Sequence, residues 1–413
     1  MSLNEKDIKH NVRVNVLVAA VFQIGAADMA LAAGPLMVYL GASNAVIGLM
    51  SGMGWAALLG VFLSPYISVR CPQKKWYMFW THVPYIGAWG LIGVLILASG
   101  ILGLSNEQIL IGVIALSAAN FFFSGFVTLP SQEFLATCIP MSYRGRYTGF
   151  SMSVGAVGSL ISTLIGGYLL LVLAKPMSFG WLYILFWVFA QGGYFLALLA
   201  REPKGVDLDA PIPWSKRMFQ AFASDKKFQR VLGANLFYFS LLSPCLIFVP
   251  IYGYRELGLP AATAALILII QQVARLLLSS HIGLWTDRMG AKRMVPIWFG
   301  GMAASMLPML VWRDPLALYA TVALQAVCFA GIMSAFNPLL LGTPKPENRS
   351  GHYSVQIILR NLLDAVGMVL TGVLIDRAGF LPYFMGWAIV AGLLMFVVRG
   401  LLRPLGDQNE DYS

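Results

Sequence analysis

The sequence predicts an all-α membrane protein with twelve transmembrane helices in two pseudo-symmetric six-helix bundles. Three observations carry this expectation. Apolar residues make up 58% of the chain and charged residues 11%, whereas a water-soluble domain has nearer half and a quarter. About twelve stretches approach or exceed the roughly 20 apolar residues that one bilayer crossing requires. Lys and Arg also collect in every second connection, the positive-inside pattern of a chain that weaves through a membrane.

Taken in order, the expected spans are 12–40, 44–69, 76–100, 107–139, 146–174, 179–200, 229–254, 260–282, 294–312, 316–342, 352–375 and 380–402. The even-numbered connections and the tails hold most basic residues, among them Arg70, Lys74, Lys75, Arg144, Arg146, Arg288, Lys292 and Arg293; the odd-numbered ones hold Lys175, Arg255, Arg313 and Arg377. This asymmetry places both termini in the cytoplasm and demands an even number of spans. The expected location is the cell membrane, which is the inner membrane in a Gram-negative bacterium. Topology thereby accounts for the net charge of +10, and a nucleic-acid partner is not needed.

Residues 1–200 read as the first bundle, 201–228 as a cytoplasmic central loop and 229–413 as the second bundle with a short cytoplasmic tail. Pro203, Pro211 and Pro213 interrupt the loop before an amphipathic run around Trp214, Phe219 and Phe222, suited to the membrane surface. The first span is too long for a cleavable signal and is expected to remain as an anchor. Cys71, Cys138, Cys245 and Cys328 are scattered without CxxC spacing or neighbouring His, so they read as packing residues and no metal site is expected. Asn348-Arg349-Ser350 fits a glycosylation sequon, but the charge pattern puts it in the cytoplasm.

The halves repeat. Pro140 and Pro346, Gly145 and Gly351, Tyr147 and Tyr353, and Gly166 and Gly372 share an offset of 206; Leu40 and Leu257, Gly41 and Gly258, and Leu49 and Leu266 share one of 217. Parallel repeats of this kind bind a solute near the midplane between them.

The segment Gly283 to Arg293, GLWTDRMGAKR, fills every position of the signature G-x-x-x-D-R-x-G-x-K/R. With the six-plus-six spans, the long central loop and Tyr143-Arg144-Gly145-Arg146, the chain resembles the major facilitator superfamily over nearly its whole length. That resemblance implies secondary active transport by alternating access, with Gly283, Asp287, Arg288, Gly290, Lys292, Arg293, Arg144 and Arg146 forming a cytoplasmic gate. Asp287 would sit against the start of the fifth span, held by free N–H groups and the positive end of the helix dipole. Some positions depart from the family pattern. The loop 2–3 copy, SPYISVRCPQKK, lacks the acid, with Val69 in its place. The Arg carried in the fourth span by many proton-coupled members is missing from Ala115 to Gly125. Ser162 and Thr163 replace the central Gly-Pro of the antiporter signature in the fifth span, which weakens a drug/proton antiport reading.

Charges inside spans are the sharper signal, because each costs at least about 2.5 kcal/mol at the bilayer centre. Asp28 lies ~24 Å along a first helix of ~42 Å, and first spans of this fold generally line the cavity. It is the first choice of proton carrier, followed by Asp364 and Glu133. Gln356, Arg360 and Asp364 form a stripe at i, i+4 and i+8, in which Arg360 and Asp364 can neutralise each other. Gln271 and Arg275 begin a similar stripe in the eighth span. For both arginines, solute binding and structural pairing stay open. Gln23, Asn120, Asn235, Tyr238, Gln325 and Asn337 can face the cavity or bond between helices, and His82 reads as a packed imidazole.

The expected partners are the bilayer and a small organic solute, with an anionic one among the options because guanidinium groups inside the spans, Arg275 and Arg360, occur only in the second half. The chain is expected to be a monomer and not an enzyme. No nucleotide motif or phosphate-cradling loop is evident, so no cofactor is expected and a proton gradient is the energy source. The alternatives are a drug or metabolite efflux antiporter, a lipid translocase and a non-transporting membrane sensor.

Overall fold

A computed structural model describes residues 4–68, 70–71, 73–139, 141–202, 222–223, 225–342 and 349–404. Among them all regular structure is helical, and the chain forms two units that interleave in sequence. Among the described residues eleven helical stretches are long and apolar enough to cross a membrane; the remaining expected span falls in a helix whose apolar described part is Thr263–Arg275.

The first unit comprises Met1–Ala42, Met53–Asp209 and Pro260–Leu268. It contains α1 (Glu5–Tyr39), α3 (Ala56–Ser68), α4 (Lys74–Leu102), α5 (Asn106–Cys138), α6 (Met141–Val172) and α7 (Met177–Ala197). α1 packs on α6 and α7, α4 on α5 and α7, and α3 on α5. Side chains close one end of this bundle. The Asn11 amide donates to the carbonyls of Cys138 (3.2 Å) and Arg201 (2.9 Å) and accepts the Arg201 N–H at 2.7 Å. Gln73 gives α4 no side-chain cap, and Glu202 supplies one from a distant segment, its two oxygens accepting the Lys74 and Lys75 N–H groups at 2.8 and 3.0 Å. His82 is fully buried, with Nδ1 2.6 Å from the Met78 carbonyl and its ring against Tyr194, as a packed imidazole should be.

The second unit comprises Ser43–Gly52, Ala210–Leu259 and Ile269–Ser413. It contains α2 (Asn44–Ser51), α8 (Lys226–Phe237), a π turn (Tyr238–Leu242), α9 (Ser243–Arg255), most of α10 (Thr263–Met289), α11 (Ala291–Ser305), α12 (Leu307–Val311), α13 (Pro315–Gly342), α14 (Arg349–Ala378) and α15 (Phe380–Leu402). α11 packs on α13 and α15, and α14 packs on α2 and the π turn. The α14 residues Leu362, Val366, Leu370 and Leu374 form an exposed apolar stripe at four-residue spacing, the surface a bilayer would solvate.

Several expected spans are subdivided. The second breaks at Gly52 into α2, a 3₁₀ turn (Met53–Trp55) and α3. The ninth breaks before Pro308, whose ring nitrogen cannot continue a helix ladder. The GLWTDRMGAKR segment, expected as a connection, is instead mostly helix: α10 runs to Met289, and Gly290 alone turns the chain, at φ 82°, before α11 starts at Ala291. Only glycine adopts that conformation without strain.

Candidate solute site in the second unit

The seventh expected span is one helix interrupted by a π turn. Pro244 lacks an N–H, so the Ser240 carbonyl has no α-helical donor, and the Ser243 N–H bonds five residues back to the Tyr238 carbonyl. Neighbouring groups stabilise the distortion. The Trp387 indole N–H donates to the Leu241 carbonyl at 2.9 Å, and the Ser240 hydroxyl donates to the Leu236 carbonyl at 2.8 Å. Gly367 of α14 comes so close that a Cβ there would lie 2.0 Å from the Ser240 oxygen.

Three polar rungs join α14 to this span, each between residues 121 positions apart. Gln356 donates to the Asn235 side-chain oxygen at 3.4 Å. One turn on, the Arg360 guanidinium lies over the Phe239 ring, 4.7 Å from its centroid. After another turn Ser243 donates to Asp364 at 2.8 Å, the same hydroxyl lying 2.7 Å from the Phe239 carbonyl. Arg360 and Asp364, whose pairing the spacing left open, act on each other electrostatically but form no direct salt bridge among the described residues; each turns to a residue of the facing helix. Arg360, which carries five N–H donors, donates no hydrogen bond to any described residue. Tyr238 is fully buried against Phe299 and Phe329, and its hydroxyl likewise lacks a partner among the described residues.

The other candidates are dispersed. Arg275 folds back on its own helix, with Nε 3.2 Å from the Gln271 carbonyl. Gln325 is buried, with Nε2 4.0 Å from the Cys245 sulfur. In the first unit Asn120 is buried and donates to the Tyr85 carbonyl at 2.6 Å, a helix-packing bond, whereas Gln23 is exposed on α1. Asp28 lies on α1, Glu133 on α5, Arg144 and Arg146 on α6, Gly283 and Asp287 on α10 and Asn337 on α13; their side chains are outside the described residues. Arg288, Lys292 and Arg293 flank the Gly290 turn, with Arg288 and Arg293 exposed. Sequence reasoning missed Phe239 and Ser243. Pro244 inside an apolar run was the available signal for the distortion that presents them.

A charged stripe packed against an interrupted helix is an arrangement that solute transporters use. Residues 231–411 match the family model described as Major Facilitator Superfamily, and the solved structures similar to the chain share its fold. A nucleoside transporter, NupG, superimposes with a TM-score of 0.67 at 14% identity, covering 95% of this chain and 99% of that one. A D-xylose-proton symporter gives 0.70 at 14% identity, covering 95% and 96%. A POT family transporter in complex with 5-aminolevulinic acid gives 0.74 at 12% identity, covering 96% and 97%. No curated protein sequence matches. That family match spans the second half of the chain, and the likeness of the whole chain to these solved structures is one of fold.

Proposed function

We propose that the chain is a secondary active transporter that moves a small organic solute bearing a carboxylate by alternating access, with protons as the coupling ion. Both termini would face the cytoplasm of the cell membrane. The fold neighbours are a nucleoside transporter, a xylose-proton symporter and a transporter complexed with 5-aminolevulinic acid, so fold alone does not choose a solute class. The observation that carries the choice is Arg360, whose donors meet no described acceptor.

An arginine at membrane depth costs about 2.5–3.5 kcal/mol on insertion scales, while stacking on an aromatic face returns about 0.5–2 kcal/mol. Asp364, one turn away, balances the charge but takes none of the donors. A carboxylate accepting two parallel N–H bonds supplies what is missing. Asp364 then becomes the group that gains a proton when a second negative charge arrives beside it. Asp28 and Glu133 are the other carriers the sequence offers. The groups that act on Asp364 are Arg360 on its own helix and, across the interface, the Ser243 hydroxyl, with the uncharged Tyr238 phenol nearby.

The test uses proteoliposomes holding the full-length chain and a pH-sensitive dye, screened with neutral, cationic and anionic solutes. Proton movement driven by monocarboxylates alone is the expected result. Movement driven by a sugar or nucleoside would keep the transport reading and remove the carboxylate. Binding without proton or solute flux would favour a sensor. In the same assay Arg360→Gln should raise the half-saturating concentration at least tenfold, as loss of a charge-assisted bidentate contact implies. Asp364→Asn should stop pH-gradient-driven accumulation but spare counterflow, which needs no net proton cycle. Full accumulation by that variant would take Asp364 out of the coupling step.

A further inference from the structure

Between the start of α11 and the end of α15 lies a cavity of about 830 Å³ lined by Lys292, Arg293, Arg399 and Arg403 together with Ile297 and Phe396. Four basic side chains converge there, and among the described residues none that lines the cavity is acidic. The first turn of α11 adds to the imbalance. Its N-cap, Gly290, supplies no side-chain acceptor, and the next residues but one are cationic where the helix dipole favours an anion. The distal wall is apolar and open. Phe396 is 63% exposed and Ile297 50%, and the strip continues along α15 through Leu393 and Ile389, 60% and 62% exposed. Gly400, on the cavity wall, has open space where a Cβ would stand.

We propose that this cavity is a binding site for an acidic phospholipid, its phosphate held by Arg293, Arg399 and Arg403 and its acyl chain laid along Phe396, Leu393 and Ile389. A soluble anion would use the basic end and leave the apolar strip uncovered; a lipid with one end of each kind uses both. The positive-inside pattern sets this end of the helices at the cytoplasmic face, where anionic lipid attracts basic residues next to a span. Arginine suits the role because its planar fork pairs with two phosphate oxygens at once. The proposal does not depend on which solute the chain carries.

The test titrates the purified full-length chain in neutral detergent with dioleoyl phosphatidylglycerol, dioleoyl phosphatidylcholine or inorganic phosphate. Bound lipid is read by native mass spectrometry, and the unfolding temperature is read in parallel. Phosphatidylglycerol should bind and raise the unfolding temperature, and the other two should do neither. Each surface arginine is worth roughly fivefold in affinity for an anionic lipid, so Arg399→Gln with Arg403→Gln should weaken binding about thirtyfold. Lysine at both positions should hold it within about threefold. Phe396→Ser should weaken phosphatidylglycerol and leave its preference over phosphatidylcholine intact. Should the double glutamine variant unfold without lipid, Arg403→Gln alone carries the test, with a fivefold loss. Equal retention of the two lipids, or an unchanged affinity in the glutamine variants, would overturn the proposal. So would inorganic phosphate stabilising the chain as well as the lipid does, which would mark a free-anion site.

Discussion

α6 and α14 are repeat-related helices, offset by 206 residues, and each packs on the start of a helix related to the other's partner by 217. In the second unit α14 packs on α2; in the first, Gly167 of α6 packs on Ala265 of α10. Both partner segments follow a glycine in the left-handed conformation, Gly41 at φ 76° and Gly258 at φ 64°. The repeat thus keeps turns and close helix contacts. It does not keep chemistry. Arg360, Asp364 and Asp376 of α14 correspond to Val154, Gly158 and Leu170 of α6. Duplication has supplied a scaffold twice, and the polar groups are placed in one copy only. The asymmetry extends to the contacts themselves. A Cβ on Gly372 would lie 2.1 Å from the Asn44 carbonyl oxygen, and one on Gly48 2.2 Å from that of Met368; on Gly167 it would lie 2.7 Å from the Ala265 Cβ.

Backbone cannot move aside as a side chain can, so the largest expected effect separates these two contacts. Gly372→Val should destabilise the chain by about 3 kcal/mol, the upper range for overpacking, and Gly167→Val by about 1 kcal/mol. Unfolding temperatures of the two variants in one detergent check this. Equal losses would mean that the contacts are equivalent and the comparison fails.

Much of this architecture was legible in the sequence, because a bilayer imposes a length and a charge pattern that composition displays directly. The twelve stretches, the repeat and the family signature required no tertiary information. What escaped were features whose causes lie between segments. The π turn leaves the apolar pattern of 229–254 unchanged, since a bond to residue i−5 alters no side chain. Its signs were Pro244 and, more than a hundred residues away, Gly367, whose missing side chain admits the distorted backbone. The Glu202 cap of α4 joins residues separated by 128 and 127 positions. In the candidate site the charged members stood out because charge is costly in an apolar run, which identified Arg360 and Asp364. Phe239 and Ser243 are ordinary in such a run and acquire meaning only from the side chains opposite. Helical spacing alone left the pairing of Arg360 with Asp364 open; the facing helix offers each a competing partner.

The second difference between the helices is Asp376. One of its oxygens accepts the Asn44 backbone and side-chain N–H groups at 3.0 and 2.8 Å, and the other accepts the Ala45 N–H at 2.8 Å. A carboxylate from α14 therefore caps α2, where Leu170 and Ala261 provide no counterpart. Asp376→Asn keeps one acceptor but turns a donor toward the Ala45 N–H, and it should cost about 1 kcal/mol. Asp376 is solvent-exposed, so the loss should shrink between 0.05 and 0.5 M salt, concentrations that bracket roughly 13 to 4 Å of screening length. Unfolding temperatures of wild type and variant at the two salts test this; a loss independent of salt would show that the hydrogen-bond geometry, not the charge, holds α2.

The smallest expected effect concerns what keeps the π turn in place. Trp387 of α15 gives its indole N–H to the Leu241 carbonyl inside the π turn, while its ring remains buried. Trp387→Phe removes the donor, keeps most of the apolar bulk and leaves a small void, so the cost should be near 1 kcal/mol. If the π turn serves only to fit Pro244, the variant should lose that stability and transport normally. If it also fixes the register of Phe239 and Ser243 against Arg360 and Asp364, the half-saturating solute concentration should rise severalfold in the proteoliposome assay. Stability and affinity measured on the same preparation separate the two outcomes. A loss of stability with unchanged affinity would confine the chemistry to α14 and leave the π turn a packing device.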